Sequence, residues 1–334
     1  MSPLRSFVRG SSASVSVAIT TVLMVTVLAS PVHGENEEAR IRILGVGNSF
    51  TQNAMKFLPQ IIASEPEVNA DVAYAYIGGC PLDKHVALAE AHEANPEEGN
   101  SYRYVMNGKT VKKGVSLREM LEDGPWDYVT IQQVSTKSYK IDTYYPYAEK
   151  LIEYIHQYAP DAEIVIHETW SHNIDSTRYT KQKIDPDEMY EGLHSAYHQV
   201  AAENGLRVIP VGTAFQNAKE YPEWDYQPTD IDVTTLVYPE DKDNLPDQSK
   251  SLHRVFSWRK NKEGEWSVGN DGYHANRNGE YLGSLIWNEF FFGIDPTTVT
   301  YAPDGMTEVQ KTTLQKIAKE TMAEAVAVEA VSAE

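Results

Sequence analysis

Arg42-Ile43-Leu44-Gly45-Val46-Gly47-Asn48-Ser49-Phe50-Thr51 reads as a short buried strand that stops abruptly in a turn carrying a serine. A run with helical character follows at Met55–Ile62. A serine on a strand-to-helix turn stands at the carboxyl edge of a sheet. It also lies beside a helix N-terminus, where free backbone N–H groups favour negative charge. These ten residues allow two readings, a nucleophile or a helix N-cap, and capping is the commoner use of serine at such a turn.

Working outward, short apolar, β-branched runs alternate with longer amphipathic ones. The runs Ile41–Val46, Asp71–Ile77, Tyr128–Ile131, Glu163–His167 and Leu206–Val211 read as strands. Gln52–Ala63, Leu82–Ala91, Leu117–Leu121, Tyr144–Tyr158, Asp187–Asn204 and Gly279–Phe292 read as helices. The helix at Asp187 is the clearest. Met189, Leu193, Ala196, Tyr197, Val200 and Ala201 form one stripe, Asp185-Pro186 opens it and Asn204-Gly205 closes it. Strands separated by helices imply right-handed βαβ units. The expected fold is therefore α/β: a doubly wound, flavodoxin-like, mostly parallel five-stranded sheet in a three-layer α/β/α arrangement, with hairpin insertions. One hairpin is expected where Asn107-Gly108 separates Tyr102–Met106 from Lys109–Val111. A longer insertion spans 216–270, holds Trp224, Tyr226, Tyr238, Trp258 and Trp266, and should contain a second hairpin at Ser251–Lys260 and Glu265–Val268.

Arg5 and Arg9 precede an apolar run from Val15 to Ala29, and small residues follow up to Gly34. This is the layout of a secretory signal peptide over residues 1–34, shorter than the roughly 20 apolar residues of a membrane span. The expectation is an exported chain, periplasmic or extracellular, with residues 35–334 as one domain and no stable membrane insertion after the signal is cleaved. The net charge is −19, and residues 1–34 contain no acidic side chain, so the remainder is more acidic still. Such a surface repels nucleic acid, which is excluded as a partner. Cys80 is the single cysteine, so no intrachain disulfide can form, and it reads as a small buried residue.

In an open α/β sheet, ligands bind outside the carboxyl ends of the strands. Ser49, Gly78-Gly79, Gln132-Gln133 with Ser135, Glu168 with Trp170 and His172, and Gly212-Thr213 all fall at such positions. Near the C-terminus Asp271-Gly272-Tyr273-His274 precedes the helix at Gly279. An Asp three residues before a His can fold back to orient the ring, which could then take a proton from a serine. Alone, that pair can equally be structural. Gly78-Gly79 allows close approach of a backbone N–H to a ligand or a plain turn. Gln132 could donate to an oxyanion or simply satisfy loop backbone.

Taken in order, Gly47-Asn48-Ser49-Phe50-Thr51, Ile77-Gly78-Gly79-Cys80-Pro81-Leu82 and Asp271-Gly272-Tyr273-His274 resemble the first, second and fifth blocks of the SGNH (GDSL-like) hydrolase superfamily. The resemblance spans roughly Ile41 to Phe292. It implies Ser49 as nucleophile, His274 as general base, Asp271 as the acid that orients it, and Ser49 and Gly79 N–H groups in an oxyanion hole. The third block departs: Trp126–Ser135 has no asparagine where the superfamily usually supplies one. It resembles a bacterial subgroup and some acetyl-sugar-directed branches with glutamine there, which implies Gln132 as the third donor and Gln133 as the second choice.

The expected function is a secreted serine esterase that removes acetyl or other short acyl groups from a carbohydrate through a Ser-His-Asp triad and an acyl-enzyme, with a small-molecule or polysaccharide ester as substrate. A non-catalytic carbohydrate-binding protein or an acyltransferase on the same fold is the alternative. Trp170 and His172 are candidate cleft walls, and structural packing of Trp170 is an equally good reading. His167-Glu168-Thr169-Trp170-Ser171-His172 is one residue too long for the His-Glu-x-x-His zinc motif. His194 and His198 are spaced to share a metal, but no third ligand can be placed from sequence, and they read as half-buried residues flanking the apolar stripe. His85 and His92 read as a solvated helix face. No metal and no cofactor are expected.

Overall fold

Nine strands organise the computed structural model, which describes residues 40–332; the expected signal segment lies outside the described residues. They are β1 (Ile41–Gly47), β2 (Ala70–Tyr76), β3 (Tyr102–Met106), β4 (Lys109–Val115), β5 (Tyr128–Ile131), β6 (Glu163–His167), β7 (Arg207–Ile209), β8 (Phe256–Lys260) and β9 (Trp266–Asn270). The main sheet has the order β4-β3-β2-β1-β5-β6-β7. Its five strands β2-β1-β5-β6-β7 are all parallel, as the alternating sequence pattern implied, and β1 lies between β2 and β5.

The sheet is seven-stranded, not five-stranded. The β3–β4 hairpin adds antiparallel to the edge at β2. Its turn is the expected Asn107-Gly108, with φ of 49° and 75°. Positive φ at both central residues is the type I′ signature, whose twist matches the flanking strands. The pattern of a hairpin shows that two strands pair, but not which free edge receives them.

Side chains alternate across β1, so Ile43 joins one core while Leu44 and Val46 join the other. The first core packs helices Ser49–Ala54, Leu58–Ser64, Val211–Asn217 and Arg277–Phe292 against the sheet. The second packs Leu82–Ala94, Leu117–Glu122, Tyr147–Tyr158 and Pro186–Asn204. This is the three-layer arrangement.

Several boundaries differ from expectation for local reasons. The expected helix Gln52–Ala63 is two helices, because Pro59 opens the second and could not continue an uninterrupted ladder. The helix expected from Tyr144 starts at Tyr147, after Pro146. Pro210 ends β7 at Ile209 and caps the unforeseen helix Val211–Asn217. The C-terminal helix Glu308–Ser332 was also not foreseen; Leu314, Ile317 and Ala318 bury it in the first core. Burial of one such leucine is worth about 1.5–3 kcal/mol. Among the described residues no helix is long and apolar enough to cross a membrane.

Candidate active site

β1 delivers Ser49 by running straight into a helix. Asn48 is the N-cap, its Oδ1 accepting from the Phe50 N–H at 3.0 Å, and Ser49 is the first helical residue. The capping role open to Ser49 thus falls to Asn48, and the Ser49 hydroxyl is free for other work. Gly47 permits this turn: a Cβ there would lie 2.2 Å from Thr51 Oγ1.

Asn48 is also the joint between two loops. Its Nδ2 donates to the Cys80 carbonyl at 3.1 Å, tying the Ser49 turn to the turn after β2. In that second turn Gly79 has φ of +60°, and nothing lies within 4 Å of where a Cβ would stand. The left-handed backbone favours glycine, and the empty space leaves the peptide open to the cleft. Cys80 is fully buried, and burial pushes its thiol up to about 12. It is the inert small residue expected.

The loop bearing Asp271 and His274 crosses to Ser49 from the far end of the chain. His274 Nε2 lies 2.8 Å from Ser49 Oγ, across 225 residues of sequence. Its Nδ1 lies 3.0 Å from both oxygens of Asp271, whose Oδ1 also accepts from the His274 backbone N–H at 3.1 Å. Burial raises the Asp271 pKa, but hydrogen bonding to His274 and the nearby Arg254 outweigh it and hold the carboxyl below its ordinary range. Arg254 and Arg259 stand 3.7 and 3.8 Å from Oδ2.

The 216–270 insertion helps fix that loop. Backbone bonds join Asp271 N to Val255 O, Gly272 N to Arg254 O and Arg254 N to His274 O. From the other side Asn173 N donates to Gly272 O, and Trp170 Nε1 donates to Tyr273 O. The expected second hairpin is present as β8–β9, a separate two-stranded sheet. The insertion's aromatic residues divide. Trp224 is buried, Tyr226 donates to Asp175, and Tyr238 packs with Trp258 and Trp266, the last of which is 41 % exposed.

The cleft at Ser49 encloses about 180 Å³ and is lined by Asn48, Ser49, Phe50, Tyr76, Gly78, Gly79, Val134, Ser135, Arg178, Tyr273 and His274. Ser49, Gly79, Asp271 and His274 are therefore brought together. The glutamines are not on this wall. Gln132 is 2 % exposed; its Nε2 donates to Asn48 Oδ1 at 2.9 Å, and its Oε1 meets Thr51 Oγ1 and His167 Nδ1. Gln133 is fully buried, accepting from the Leu82 and Val134 N–H groups and donating to Thr143 O. Gln132 braces Asn48 and Gln133 pins a loop, so neither side chain lines the cleft where an oxyanion donor was expected. A glutamine at a strand end can turn inward as easily as outward, and here β6 and the Ser49 helix offer it partners below the cleft.

Trp170 and His172 are likewise one layer back. Trp170 is buried in a stack with Phe215, with ring centroids 4.6 Å apart, and touches Phe50. His172 is buried and meets Ser135 Oγ at 3.0 Å, so it backs a residue that lines the cleft and itself faces a neighbouring cavity of about 220 Å³. Burial, with the Arg178 charge next, pushes His172 down to about 3, so it is neutral. The sequence reading missed Arg178, whose guanidinium lies 3.6 Å from the centre of the Tyr273 ring and places a permanent positive charge on the cleft wall. Nothing in the spacing around Arg178 signals this.

The other histidines also differ from expectation in part. His85 is fully buried against the Tyr102 hydroxyl at 2.8 Å, not solvated, whereas His92 is on the surface. His194 and His198 meet Glu168, the residue that follows β6.

A family model described as "Domain of unknown function (DUF4886)" matches residues 42–230. That segment includes Ser49, Gly79 and Gln132 and ends before Asp271 and His274. Among curated proteins, none matches the sequence. The crystal structure of a DUF4886 family protein from Bacteroides uniformis is similar in fold, with TM-score 0.65 and 23 % identity over 85 % of this chain and 95 % of that one. A candidate SGNH hydrolase from Slackia heliotrinireducens aligns at TM-score 0.42 and 19 % identity, over 75 % of this chain and 98 % of its own. A lipase/acylhydrolase from Enterococcus faecalis aligns at 0.41 and 13 %, over 76 % and 96 %. No residue role follows from likeness at that level.

Proposed function

This chain belongs to the DUF4886 family, and from the geometry of its cleft we propose that it is an SGNH-type serine ester hydrolase that removes acetyl or other short acyl groups from a carbohydrate. One observation carries the reading. Asp271, His274 and Ser49 stand in hydrogen-bonded line, with Ser49 Oγ at the head of a helix and facing the cleft. A structural role for the His274–Asp271 pair would not require its far nitrogen to meet a serine hydroxyl.

In this reading Ser49 Oγ attacks the ester carbonyl carbon while its proton passes to His274 Nε2. Asp271 holds the ring by Nδ1 and stabilises the imidazolium. The carbonyl oxygen becomes an oxyanion held by the Ser49 and Gly79 N–H groups. The first N–H groups of a helix have no acceptor within it and so remain available. Collapse breaks the C–O bond, and His274 returns the proton to the leaving alcohol. Water then attacks the acyl-enzyme by the same route, releasing the acid and restoring Ser49.

The acyl size and the substrate class are read from the cleft and the surfaces around it. A cleft of about 180 Å³ suits an acetyl group and is small beside the roughly 300–1,000 Å³ pockets of larger ligands. Trp266, exposed and packed on the half-buried Tyr238, supplies an aromatic face of the kind that stacks on sugar rings. Arg178 favours substrates with a carboxylate near the acylated hydroxyl. Export, read from residues 1–34, belongs to the same proposal. The test is fluorophosphonate labelling mapped by mass spectrometry, together with acetate release from a panel of acetylated polysaccharides. Labelling at Ser49 and loss of release in Ser49→Ala support the reading. Absence of labelling, or undiminished release by the variant, sinks it, and glycan binding without labelling would favour a non-catalytic carbohydrate-binding protein.

A further inference from the structure

The most buried carboxylate at the carboxyl edge of the sheet takes no part in the chemistry above. Glu168 is fully buried. Its Oε1 accepts from the Thr213 N–H at 2.6 Å and from Thr213 Oγ1 at 2.9 Å, which fixes the carboxylate against the start of the helix Val211–Asn217. Gly212 makes the approach feasible, because a Cβ there would lie 2.7 Å from Oε1 and 2.2 Å from the Thr169 carbonyl. The other oxygen, Oε2, faces two imidazoles on the long helix Pro186–Asn204. His194 Nδ1 is 3.0 Å away and His198 Nε2 is 3.4 Å away. His198 Nε2 is buried yet has no hydrogen-bond partner.

We infer that Glu168, His194 and His198 form a binding site for one divalent transition-metal ion of the zinc class. The three donor atoms lie within 4.8 Å of one another. Metal–nitrogen and metal–oxygen bonds of about 2.0–2.1 Å in a tetrahedron place ligand atoms roughly 3.3 Å apart, a value that the observed 3.0 and 3.4 Å bracket. Two imidazoles and a carboxylate are the donor set that zinc takes at sites with an open fourth position. Thr213 provides the outer hydrogen bonds that hold a ligating carboxylate in place. His194 and His198 also line a cavity of about 610 Å³, so an ion can enter and water can complete its shell. Bound there, the ion would cross-link the end of β6 to the helix Pro186–Asn204. The site is separate from Ser49 and does not depend on the esterase reading.

The experiment uses the full chain, purified without a histidine tag, stripped with a chelator and titrated with Zn²⁺ and with Co²⁺. One equivalent should bind and raise the melting temperature, with Co²⁺ giving the strong visible bands of a four-coordinate site. The double variant His194→Gln, His198→Gln should lose those bands and weaken Zn²⁺ binding by at least about 100-fold. It should keep fluorophosphonate labelling at Ser49, if the wild type labels. Both histidines are about 40 % exposed, at 42 % and 41 %, so the fold should tolerate the change. The single variants give the same readout if the pair misfolds. No binding by the wild type, or binding unchanged in the variants, overturns the inference.

Discussion

At Asp271 one carboxylate meets one imidazole, whose far nitrogen reaches a serine in an open cleft. At Glu168 one carboxylate meets two imidazoles, whose nitrogens converge on a single oxygen of a fully buried side chain. The same two residue types serve both places, and both lie at the carboxyl edge of one sheet. The first arrangement sets three groups in line, the geometry that the proposed proton transfer from Ser49 to His274 requires. The second is a cluster of ligand atoms around a common centre, suited to holding a cation. What separates them is direction and burial, and neither is a property of Asp, Glu or His as residue types.

The largest effect is expected at the first cluster. Asp271→Asn should lower kcat on an acetyl ester by about 10⁴-fold, as loss of the orienting carboxylate does in such a relay, and should change the melting temperature little. A drop under tenfold, measured by initial rates, would break the parallel with a proton relay. Glu168→Gln should do the reverse, costing about 3–5 kcal/mol of stability by breaking a buried charged cluster. Denaturant melts that show less than about 1 kcal/mol would remove Glu168 as a structural centre.

Gln132→Ala lies between the two clusters and is expected to be smaller, at about 1–3 kcal/mol. It leaves the Thr51 hydroxyl and His167 Nδ1 without a buried partner and removes one of the two N–H groups donating to Asn48 Oδ1. A melting temperature equal to wild type together with a 10²–10³-fold fall in kcat would return Gln132 to the oxyanion hole. Gln132→Glu, which keeps the acceptor for Thr51 and His167, should recover part of the lost stability.

The mildest effect is a drift with pH. Burial pushes His85, His167 and His172 down to about 3, and His253 to about 4. The folded state keeps these rings neutral, whereas the unfolded chain protonates them near their ordinary pKa of about 6.5. Their contribution is therefore fully present above about pH 6.5 and is lost as pH falls towards 4 and 3. His194 has the opposite sign. Its hydrogen bond to Glu168 raises its pKa, so its contribution is present below about 6.5 and is lost as pH rises through its folded value. Four depressed rings against one raised ring make acid destabilising, so melting temperatures should fall steadily between pH 7 and pH 4.5. A flat profile would mean that these rings are solvated.

The parallel sheet was legible because its signal is local. A β-branched run, a glycine turn and a 3.6-period stripe declare strand, turn and helix wherever they stand. The I′ hairpin at Asn107-Gly108 and the caps at Asp185 and Gly205 followed for the same reason. The helix Glu308–Ser332 was not legible, since its alanine-rich sequence reads as generic helix former and only packing on Arg277–Phe292 gives it a buried face. The choice between cleft wall and core packing for Trp170 was open for the same reason, because its burial depends on Phe215, contributed by a helix that the sequence did not reveal.

By itself the sequence determined the strand order along the chain, the position of Ser49 at the end of β1, and the Asp-x-x-His spacing that lets one side chain orient another. Tertiary structure decided which way each side chain at the sheet edge points. It turned Gln132 inward to brace Asn48, set Arg178 on the cleft wall, and supplied Glu168 as the third partner that His194 and His198 lacked in one dimension. Spacing fixes what neighbours along the chain can reach. Convergence of groups from β6, two helices and a distant loop is set by packing, which no local pattern encodes.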